Sequence, residues 1–402
     1  MGRMDSPAGR RRVLADKLSR SGLKFAIVSN PKHIFYLTGI SSNLNPYYVL
    51  GKGQRSIAFL AVGDEGQSSL LLGGSEFWSP WAREDVSGPR PDPASMNGVG
   101  LSLYSDYGLD TTMVPYGAEI APEVKFWLRR LARAEGWLSA RRVGVEDWHL
   151  PGVHREVIQR TVNRGRLVGI SQTIMDMRKT KGRDELENLR AAAKALDYAY
   201  GFAKAVAEEG RTELDMFRAM NDAAFARFGV FGMIGGDVVS GKRNLEVGGM
   251  ATRRKFRRGE TVIIDMQTTH NNYWSDTART FVIGRPTRGQ QKALETVIEA
   301  KDMAARMLKP GTPTADIANE VNSFLKKRGY SEMPHHIGHT VGLDDQERPW
   351  LIRGSTDVVR ENQAYVIEPG VYEKGTGGVR VEDCYFVTRG GREKVSTFPL
   401  GF

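Results

Sequence analysis

Two acidic residues that flank a short polar segment do most to constrain how this chain can fold. Asp265 lies in the β-rich run TVIIDMQ and Asp276 lies in YWSDTARTFVIG, on either side of residues 268–272. A hairpin centred between His270 and Asn271 would place the two aspartates directly opposite each other. Directly opposed side chains point to the same face of a sheet, with Cβ atoms about 5 Å apart.

A second acidic pair repeats this arrangement nearer the C-terminus. Glu368 and Glu382 lie at equal distances from Gly375, which sits in the turn-forming run KGTGG. Two like-charged pairs on one surface repel each other and destabilise the fold unless a cation lies between them. The pattern therefore predicts a cation site formed by two hairpins.

A histidine-rich segment supplies a possible nitrogen ligand. Three of the seven histidines, His335, His336 and His339, fall within five residues, and Gly338 and Gly342 would let the backbone approach a neighbouring strand closely. Together with the four carboxylates, His339 completes a mixed oxygen and nitrogen set. Such a set suits one or two divalent ions such as Mn, Co, Fe or Zn.

Composition indicates a globular protein with ample length for a core. The chain has 402 residues, of which 40% are hydrophobic and 26% charged, and its single cysteine, Cys384, excludes an intrachain disulfide. We expect Cys384 to be a small buried hydrophobe and the protein to be cytoplasmic. No apolar stretch follows the basic N-terminal residues and no run approaches a membrane span of about 20 residues, so we expect neither a signal peptide nor a membrane partner.

The formal net charge of +10 does not by itself indicate nucleic-acid binding. The arginines are scattered, no basic stripe alternates with aromatic residues, and we expect a solvated surface and no nucleic-acid partner. Residues 236–242 imitate a phosphate-binding loop, but Arg243 stands where the Mg²⁺-binding hydroxyl is needed. No nucleophile elbow surrounds any serine.

The order of predicted elements is that of an α/β protein. A first helix over about 7–21 is followed by short strands in KFAIVSN, RSIAFLAVG and SSLLLGG, with a loop at 86–99. The pattern is helical from about 153 to 229, and beyond 230 strands dominate, interrupted by helices at about 288–308 and 313–328.

The successive motifs resemble those of a known family. DTARTF at 276–281, GHTVGL at 338–343, VIEPGVY at 366–372 and GVRVEDCYFVT at 378–388 are similar to signatures of the pita-bread metallopeptidases, which include aminopeptidase P, prolidase, creatinase and methionine aminopeptidase. The resemblance covers about 170–402. The preceding residues, with PKHIFYLTGI, resemble the creatinase and prolidase branch. It implies a creatinase-like mixed α/β domain at 1–165 and a catalytic pita-bread domain at 166–402, with a curved antiparallel sheet and flanking helices.

The resemblance also implies a ligand set for two divalent ions. Asp265 would bind one ion, Asp276 and Glu382 would bridge both, and His339 and Glu368 would hold the second. A water between the ions would be the nucleophile, and Glu368 would take its proton.

Other site residues are carried over from the resemblance by position. His335 matches a position that stabilises the tetrahedral oxyanion, and Arg380 matches an arginine that orients carboxylates. Tyr372 stands where the family often has a tyrosine near the site. We expect His335 and Tyr372, together with Gln346, to contact the substrate.

Two positions depart from the proline-specific members of the family. Those members have histidines where this chain has Gly248, in GGMAT, and Gln346, in DDQERPW. An amide at 346 can donate a hydrogen bond but cannot titrate near neutrality. The metal ligands are therefore present, whereas the residues that serve proline substrates are altered.

Three functions follow as alternatives. The first is a dinuclear-metal hydrolase that cleaves a peptide or amide bond, by default of Xaa-Pro substrates. The second is a non-peptidase enzyme acting on a small zwitterion or carboxylate, similar to the dimethylsulfoniopropionate lyases, in which Asp345 could act as base. The third is a metal-free binding module. Creatinase-like hydrolysis fits poorly, because creatinases lack the metal ligands present here. The branch also implies a homodimer.

Overall fold

The computed structural model describes residues 4–39, 59–66, 68–72, 100–103, 127–130, 140–150, 152–161, 166–228 and 234–401, and the single residues 125 and 133. The chain divides into two compact units, Met1–Arg178 and Lys179–Phe402. Both units combine helices with sheets, which confirms the predicted α/β class. None of the described helices is long and apolar enough to cross a membrane.

The first unit contains a mixed sheet with helices around it. Its described strands run in the spatial order β4-β3-β2-β1-β5-β6. The strands are β1 Phe25–Val28, β2 Phe59–Gly63, β3 Ser68–Leu72, β4 Gly100–Leu103, β5 Arg142–Val145 and β6 Arg166–Gly169. The helices are α1 Pro7–Arg20, α2 Pro31–Thr38, α3 Gly152–Thr161 and α4 Ser171–Arg178.

The sequence predictions for this unit hold for the first helix and the first three strands, whereas β4 and β5 lie in residues 82–148, which were expected to be helical and loop material. Helix α1 begins after the capping side chain of Ser6, and the three predicted strands are present. Residues 166–169 were expected to be helical, but this prediction is wrong because they pair with β5 as a parallel strand. Sheet pairing outweighs local helical periodicity here. The loop predicted at 86–99 lies outside the described residues.

The second unit begins with two long helices and carries its strands mainly in antiparallel pairs. The helices are α5 Arg183–Ala205, α6 Glu213–Phe228, α7 Arg288–Met307 and α8 Thr314–Lys327. The strands are β7 Ile234–Ser240, β8 Thr261–His270, β9 Tyr273–Val282, β10 Gly338–Thr340, β11 Glu347–Leu351, β12 Ala364–Ile367, β13 Gly370–Glu373, β14 Gly377–Arg380, β15 Asp383–Thr388 and β16 Gly391–Lys394. The helices predicted at 288–308 and 313–328 are thus confirmed to within a residue or two.

Residues 236–242 do not form a phosphate-binding loop. They belong to β7 and to a short 3₁₀ helix at Gly241–Glu246. Helix α6 begins with reciprocal capping: the amide of Asp215 donates to Oγ1 of Thr212 at 3.1 Å, and Oδ2 of Asp215 accepts from the amide of Thr212 at 2.8 Å.

One sheet of this unit is formed by β7, β8 and β9, with β8 in the middle. Its inner face packs against α5 and α6 through a buried cluster that includes Tyr200, Met216 and Ile264. The hydroxyl of Tyr200 donates to main-chain oxygens of β8 and β9, including that of Ile264 at 3.2 Å. The two strands are therefore held rigidly from the side opposite the acidic residues.

The register of the β8–β9 hairpin differs from the sequence prediction. The turn is formed by Asn271 and Asn272, both with positive φ (48° and 67°), as a two-residue hairpin turn of type I′ requires. This shifts the centre by one residue, so Asp276 stands opposite Gln267 and not opposite Asp265. The predicted direct opposition is wrong. The two aspartates are instead diagonal neighbours on one face, because Asp265 and Gln267 share that face.

The second acidic pair has the predicted register. Strand β12 pairs with β15 so that Ile367 faces Asp383, and β13 pairs with β14 so that Gly370 faces Arg380. Both ladders have the same symmetry about residue 375, and Glu368 and Glu382 lie between them at matching positions. Gly338 makes this sheet possible, because a Cβ at that position would lie 2.1 Å from the carbonyl oxygen of Val366.

Candidate metal centre

Main-chain hydrogen bonds hold the acidic residues of different strands together. The amide of Glu382 donates to the carbonyl of Ala278 on β9 at 2.9 Å, and the amide of Glu368 donates to the carbonyl of Ile337 at 2.9 Å. The amide of Trp274 donates to the carbonyl of Gly342, beyond β10, at 2.8 Å. The β8–β9 hairpin and the second sheet thus meet where the predicted ligands lie.

A buried ion network supports this junction from behind. Asp383, which follows Glu382, contacts Arg279 at 2.9 Å, Lys394 at 2.8 Å and Lys301. These charges hold the pKa of Asp383 below its ordinary value, although burial alone would raise it. Glu382 directly precedes β15, and adjacent residues of extended chain point to opposite faces, so Glu382 faces the candidate site while Asp383 faces the cations.

The imidazole of His339 points into the acidic cluster with a bare nitrogen. Its Nδ1 lies 3.0 Å from the carbonyl oxygen of Thr340, which can only accept, so Nδ1 carries the proton. Nε2 is then unprotonated, 3.5 Å from Oε1 of Glu368 and 3.9 Å from Oδ2 of Asp276. Burial lowers the pKa of His339, which favours this neutral form.

The ligand atoms fall into two overlapping groups that share His339. Asp276, His339 and Glu382 form one group, and His336, His339 and Glu368 form the other. Within each group the ligand atoms lie within 4.8 Å of one another. Asp265 lies in neither group, and its Oδ2 accepts from Nη2 of Arg380 at 2.9 Å.

Several buried oxygens of this cluster make no hydrogen bond within the described residues. They are Oδ1 of Asp265, Oδ1 of Asp276, Oε1 of Glu368 and Oε2 of Glu382. Buried carboxylate oxygens without donors are costly, and a divalent cation is the partner that could satisfy all of them together. The residues present therefore fit a divalent-metal site.

The charges in the cluster perturb one another strongly. Burial raises the pKa of Asp265 to about 6, with Arg380 opposing the rise and Glu368 adding to it. Burial and the neighbouring carboxylates also raise the pKa of Asp276 and that of Glu382. Without a cation, keeping these groups ionised destabilises the fold.

Glu368 behaves differently because imidazoles surround it. Burial alone would raise its pKa, but His336, His339 and His335 outweigh that effect and lower the pKa to about 2. Glu368 is therefore ionised at neutral pH.

A hydrogen-bonded chain leads from Asp265 to His335. Nη1 of Arg380 donates to the hydroxyl of Tyr372 at 3.2 Å, and that hydroxyl lies 2.7 Å from Nε2 of His335. Nδ1 of His335 lies 2.8 Å from the carbonyl oxygen of His336, so Nδ1 donates and Nε2 accepts from Tyr372. Burial lowers the pKa of His335 to about 4. Both ring nitrogens are engaged, and the predicted oxyanion role of His335 stays a prediction.

Four of the predicted ligands, Asp265, Asp276, His339 and Glu368, line a cavity of about 220 Å³ within the second unit, whereas Glu382 and Tyr372 are not among its lining residues. This volume has room for several water molecules or a small substrate. Gly248 and Gln346 both line this cavity, whereas Asp345 is not among its lining residues. Oδ1 of Asp345 instead accepts from the amide of Gln346 at 3.1 Å. The structure thus brings Gln346, but not Asp345, to the cavity wall.

The loop that carries Gln346 is anchored by a buried ion pair. Nζ of Lys181 lies 2.8 Å from Oε2 of Glu347, and both side chains are almost fully buried. Oε1 of Glu347 accepts from the amide of Asp344 at 3.1 Å. A Cβ at Gly342 would lie 2.5 Å from this same oxygen, which explains the glycine there.

Sequence reasoning missed three polar side chains of the cavity wall, those of Asp237, Gln267 and His336. His336 was seen only as part of the histidine run, and Gln267 donates to Oδ2 of Asp276 at 3.0 Å. Asp237 stands opposite Asp265 in the β7–β8 ladder, and its Oδ2 would lie 2.2 Å from a Cβ at Gly248. The run GGDVVSGK drew attention to its glycines and lysine, whereas strand pairing with β8 is what brings Asp237 to the site.

Comparison with known proteins identifies the family. The model of metallopeptidase family M24 matches residues 187–389, and that of the creatinase/prolidase N-terminal domain matches residues 10–180. The chain belongs to metallopeptidase family M24. The resemblance to the creatinase and prolidase branch of the pita-bread metallopeptidases is thereby confirmed.

Relatives of this M24 chain include peptidases named for proline substrates. An Xaa-Pro dipeptidase of Pyrococcus furiosus is 31% identical over 234 residues, which are 56% of this chain and 66% of the relative. Among solved structures, an Xaa-Pro dipeptidase from Bacillus anthracis has a TM-score of 0.78 at 20% identity, covering 98% of this chain and 99% of the other. The prolidase from Pyrococcus horikoshii OT3 has a TM-score of 0.75 at 20% identity, covering 97% and 99%. These structures establish the predicted two-part fold.

Proposed function

We propose that this M24 chain is a dinuclear-metal-dependent hydrolase that cleaves a peptide bond, with Xaa-Pro peptides as its default substrates. The observation that carries the proposal is the set of buried carboxylate oxygens that make no hydrogen bond, in a cluster that also contains the unprotonated Nε2 of His339. A purely structural cluster would be expected to satisfy these oxygens with donors.

The ligands divide between the two ions as the family resemblance implies. Asp265 would hold one ion, His339 and Glu368 would hold the other, and Asp276 and Glu382 would bridge them. In support, Asp276 and Glu382 share a group with His339, while Asp265 lies outside that group and is the diagonal neighbour of Asp276 on the β8–β9 face. When bound, the ions would polarise the scissile carbonyl and lower the pKa of a water molecule.

The side chains of the chain supply the remaining chemistry. Glu368 is ionised at neutral pH and is our candidate for the group that accepts the proton of the attacking water. Arg380 balances part of the negative charge by its contact with Asp265, and Tyr372 fixes Arg380 relative to His335. The buried pair of Lys181 and Glu347 would fix the Gln346 loop on the substrate side.

A second candidate function rests on the altered cavity wall. Gly248 and Gln346 stand where proline-specific members have histidines, and Asp237 fills the space beside Gly248. This wall favours an enzyme that acts on a small zwitterion or carboxylate, such as a dimethylsulfoniopropionate lyase-like activity. For either function, we propose that the bound ions are Mn, Co, Fe or Zn. We also propose that the chain forms a homodimer and is located in the cytoplasm.

The test compares substrates and variants on metal-stripped protein reloaded with Mn²⁺, Co²⁺, Fe²⁺ or Zn²⁺. We expect Gly-Pro or Ala-Pro-X peptides to be cleaved only after reloading, and Asp276→Asn to abolish turnover and lower the metal content. Asp222→Asn, an exposed carboxylate that pairs with Arg218, is the matched control and should behave as wild type. Turnover of a zwitterion with all proline peptides untouched would favour the second candidate. Full activity in Asp276→Asn would refute both.

A further inference from the structure

His336 lies against the candidate metal centre, and neither the family motifs nor the proposed mechanism gives it a role. Its Nε2 is buried and lies 2.7 Å from Oε1 of Glu368, yet the two atoms do not meet in hydrogen-bond geometry. Nε2 of His339 lies 3.5 Å from the same oxygen. Two imidazole nitrogens therefore converge on one carboxylate oxygen, and the cluster gives neither of them a donor or an acceptor in good geometry.

We propose that His336 is a further ligand of the ion held by His339 and Glu368, so that this ion has two imidazole ligands. The proposal rests on the proposed function and adds to the ligand set of that site. The ligand atoms of His336, His339 and Glu368 all lie within 4.8 Å of one another. Ligand atoms bound at about 2.1 Å to one ion lie about 3.0–3.4 Å apart. Oε1 of Glu368 lies 2.7 Å from Nε2 of His336 and 3.5 Å from Nε2 of His339, so the two separations fall just below and just above this range.

Packing fixes the ring of His336 in this position. The ring meets that of Trp350 edge-on, with centroids 4.8 Å apart at 81°, and meets that of His339 at 5.2 Å and 76°. Trp350 stands opposite His339 in the β10–β11 ladder and contacts its ring at 5.5 Å. One tryptophan thus supports both imidazoles, as expected for ligands that must be held in place before an ion binds.

A second imidazole changes which metals the site prefers. Carboxylate and water ligands suit Mn²⁺, whereas imidazole nitrogen suits Zn²⁺, Fe²⁺ and Ni²⁺. Removing His336 should therefore weaken the binding of Zn²⁺ more than that of Mn²⁺. A residue that only contacts substrate would leave both affinities unchanged.

The experiment measures metal binding on the full chain with His336→Ala and His336→Gln. His270→Ala is the matched control, because His270 is an exposed histidine at the tip of the β8–β9 hairpin. Metal affinities come from competition with a chromogenic chelator, and nitrogen ligands are counted by pulsed EPR on the protein loaded with Mn²⁺. Unfolding of the metal-free variants checks that they are folded.

We expect nitrogen couplings from two imidazoles in wild type and His270→Ala, and from one imidazole in both His336 variants. The affinity of the site for Zn²⁺ should fall at least about 10–100-fold in those variants, with a smaller loss for Mn²⁺. A single coupled imidazole in wild type, or unchanged Zn²⁺ affinity in folded His336→Ala, would overturn the proposal while leaving the dinuclear hydrolase intact. Failure of wild type to bind any ion would instead refute the proposed function itself.

Discussion

The neighbouring carboxylates Glu382 and Asp383 should respond to neutralisation in opposite directions. Burial and three nearby carboxylates raise the pKa of Glu382, so its charge destabilises the metal-free fold. Asp383 is held by three cations, and these lower its pKa despite burial. In the presence of a chelator, Glu382→Gln should therefore stabilise the second unit, whereas Asp383→Asn should destabilise it.

The size of each effect can be worked from the structure. In the same cluster the pKa of Asp265 rises from 3.8 to about 6, which corresponds to about 3 kcal/mol at roughly 1.4 kcal/mol for each unit of pKa. We expect a gain of about 1–3 kcal/mol for Glu382→Gln. Asp383→Asn leaves Arg279 and Lys301 buried without their anion, a change that typically costs about 3–5 kcal/mol.

Thermal unfolding at pH 8 in chelator, followed by circular dichroism, measures both changes. For a unit of this size 1 kcal/mol shifts the melting temperature by about 2–4 °C, so Glu382→Gln should melt a few degrees higher than wild type and Asp383→Asn about 10 °C lower. Adding Mn²⁺ or Zn²⁺ should stabilise wild type but not Glu382→Gln. A lower melting temperature for Glu382→Gln in chelator would refute the view that mutual repulsion marks these residues as ion ligands.

Three further outcomes are expected. The pKa of Asp265 in the folded protein, about 6, exceeds its value in the unfolded chain, so metal-free protein should lose stability as pH rises from about 4 to 7. A melting temperature that rises over this pH range in chelator would contradict this prediction. Gly248→His should place its Cβ against Oδ2 of Asp237 and lower kcat/KM for the native substrate at least about tenfold. Adding Asp237→Ala should partly restore folding and turnover in the double variant. Equal steady-state kinetics for Gly248→His and wild type would exclude this contact. Lys181→Met should leave Glu347 buried without its cation, which should lower the free energy of unfolding in urea by about 3–5 kcal/mol. It should also raise KM, because the loop that carries Gln346 would lose its anchor. An unchanged KM with normal metal content would show that the pair does not position substrate.

The sequence predicted the fold class, the main helices of the second unit and the residues of the acidic cluster. These predictions depended on features encoded locally, such as the symmetry of residues 368–382 about Gly375. Gly338 could be interpreted from its neighbours, since its lack of a side chain permits the approach to β12.

The register of one hairpin and the pairing of distant strands were not predicted correctly from the sequence. The Asn271–Asn272 turn moved the hairpin register by one residue, because both asparagines take the positive φ that the turn needs. Residues 166–169 became a strand through their partner β5. Asp237 reached the cavity through its pairing with β8.

Diffraction at the absorption edges of Mn and Zn from crystals of metal-loaded protein tests the existence of the metal centre most directly. We expect two anomalous peaks in the cavity, one beside Asp265 and one beside His339, with Asp276 and Glu382 between them. The second peak should also lie within bonding distance of Nε2 of His336. Absence of anomalous signal in this cavity, with the carboxylates protonated or paired to side chains, would contradict a metal-dependent function for this chain.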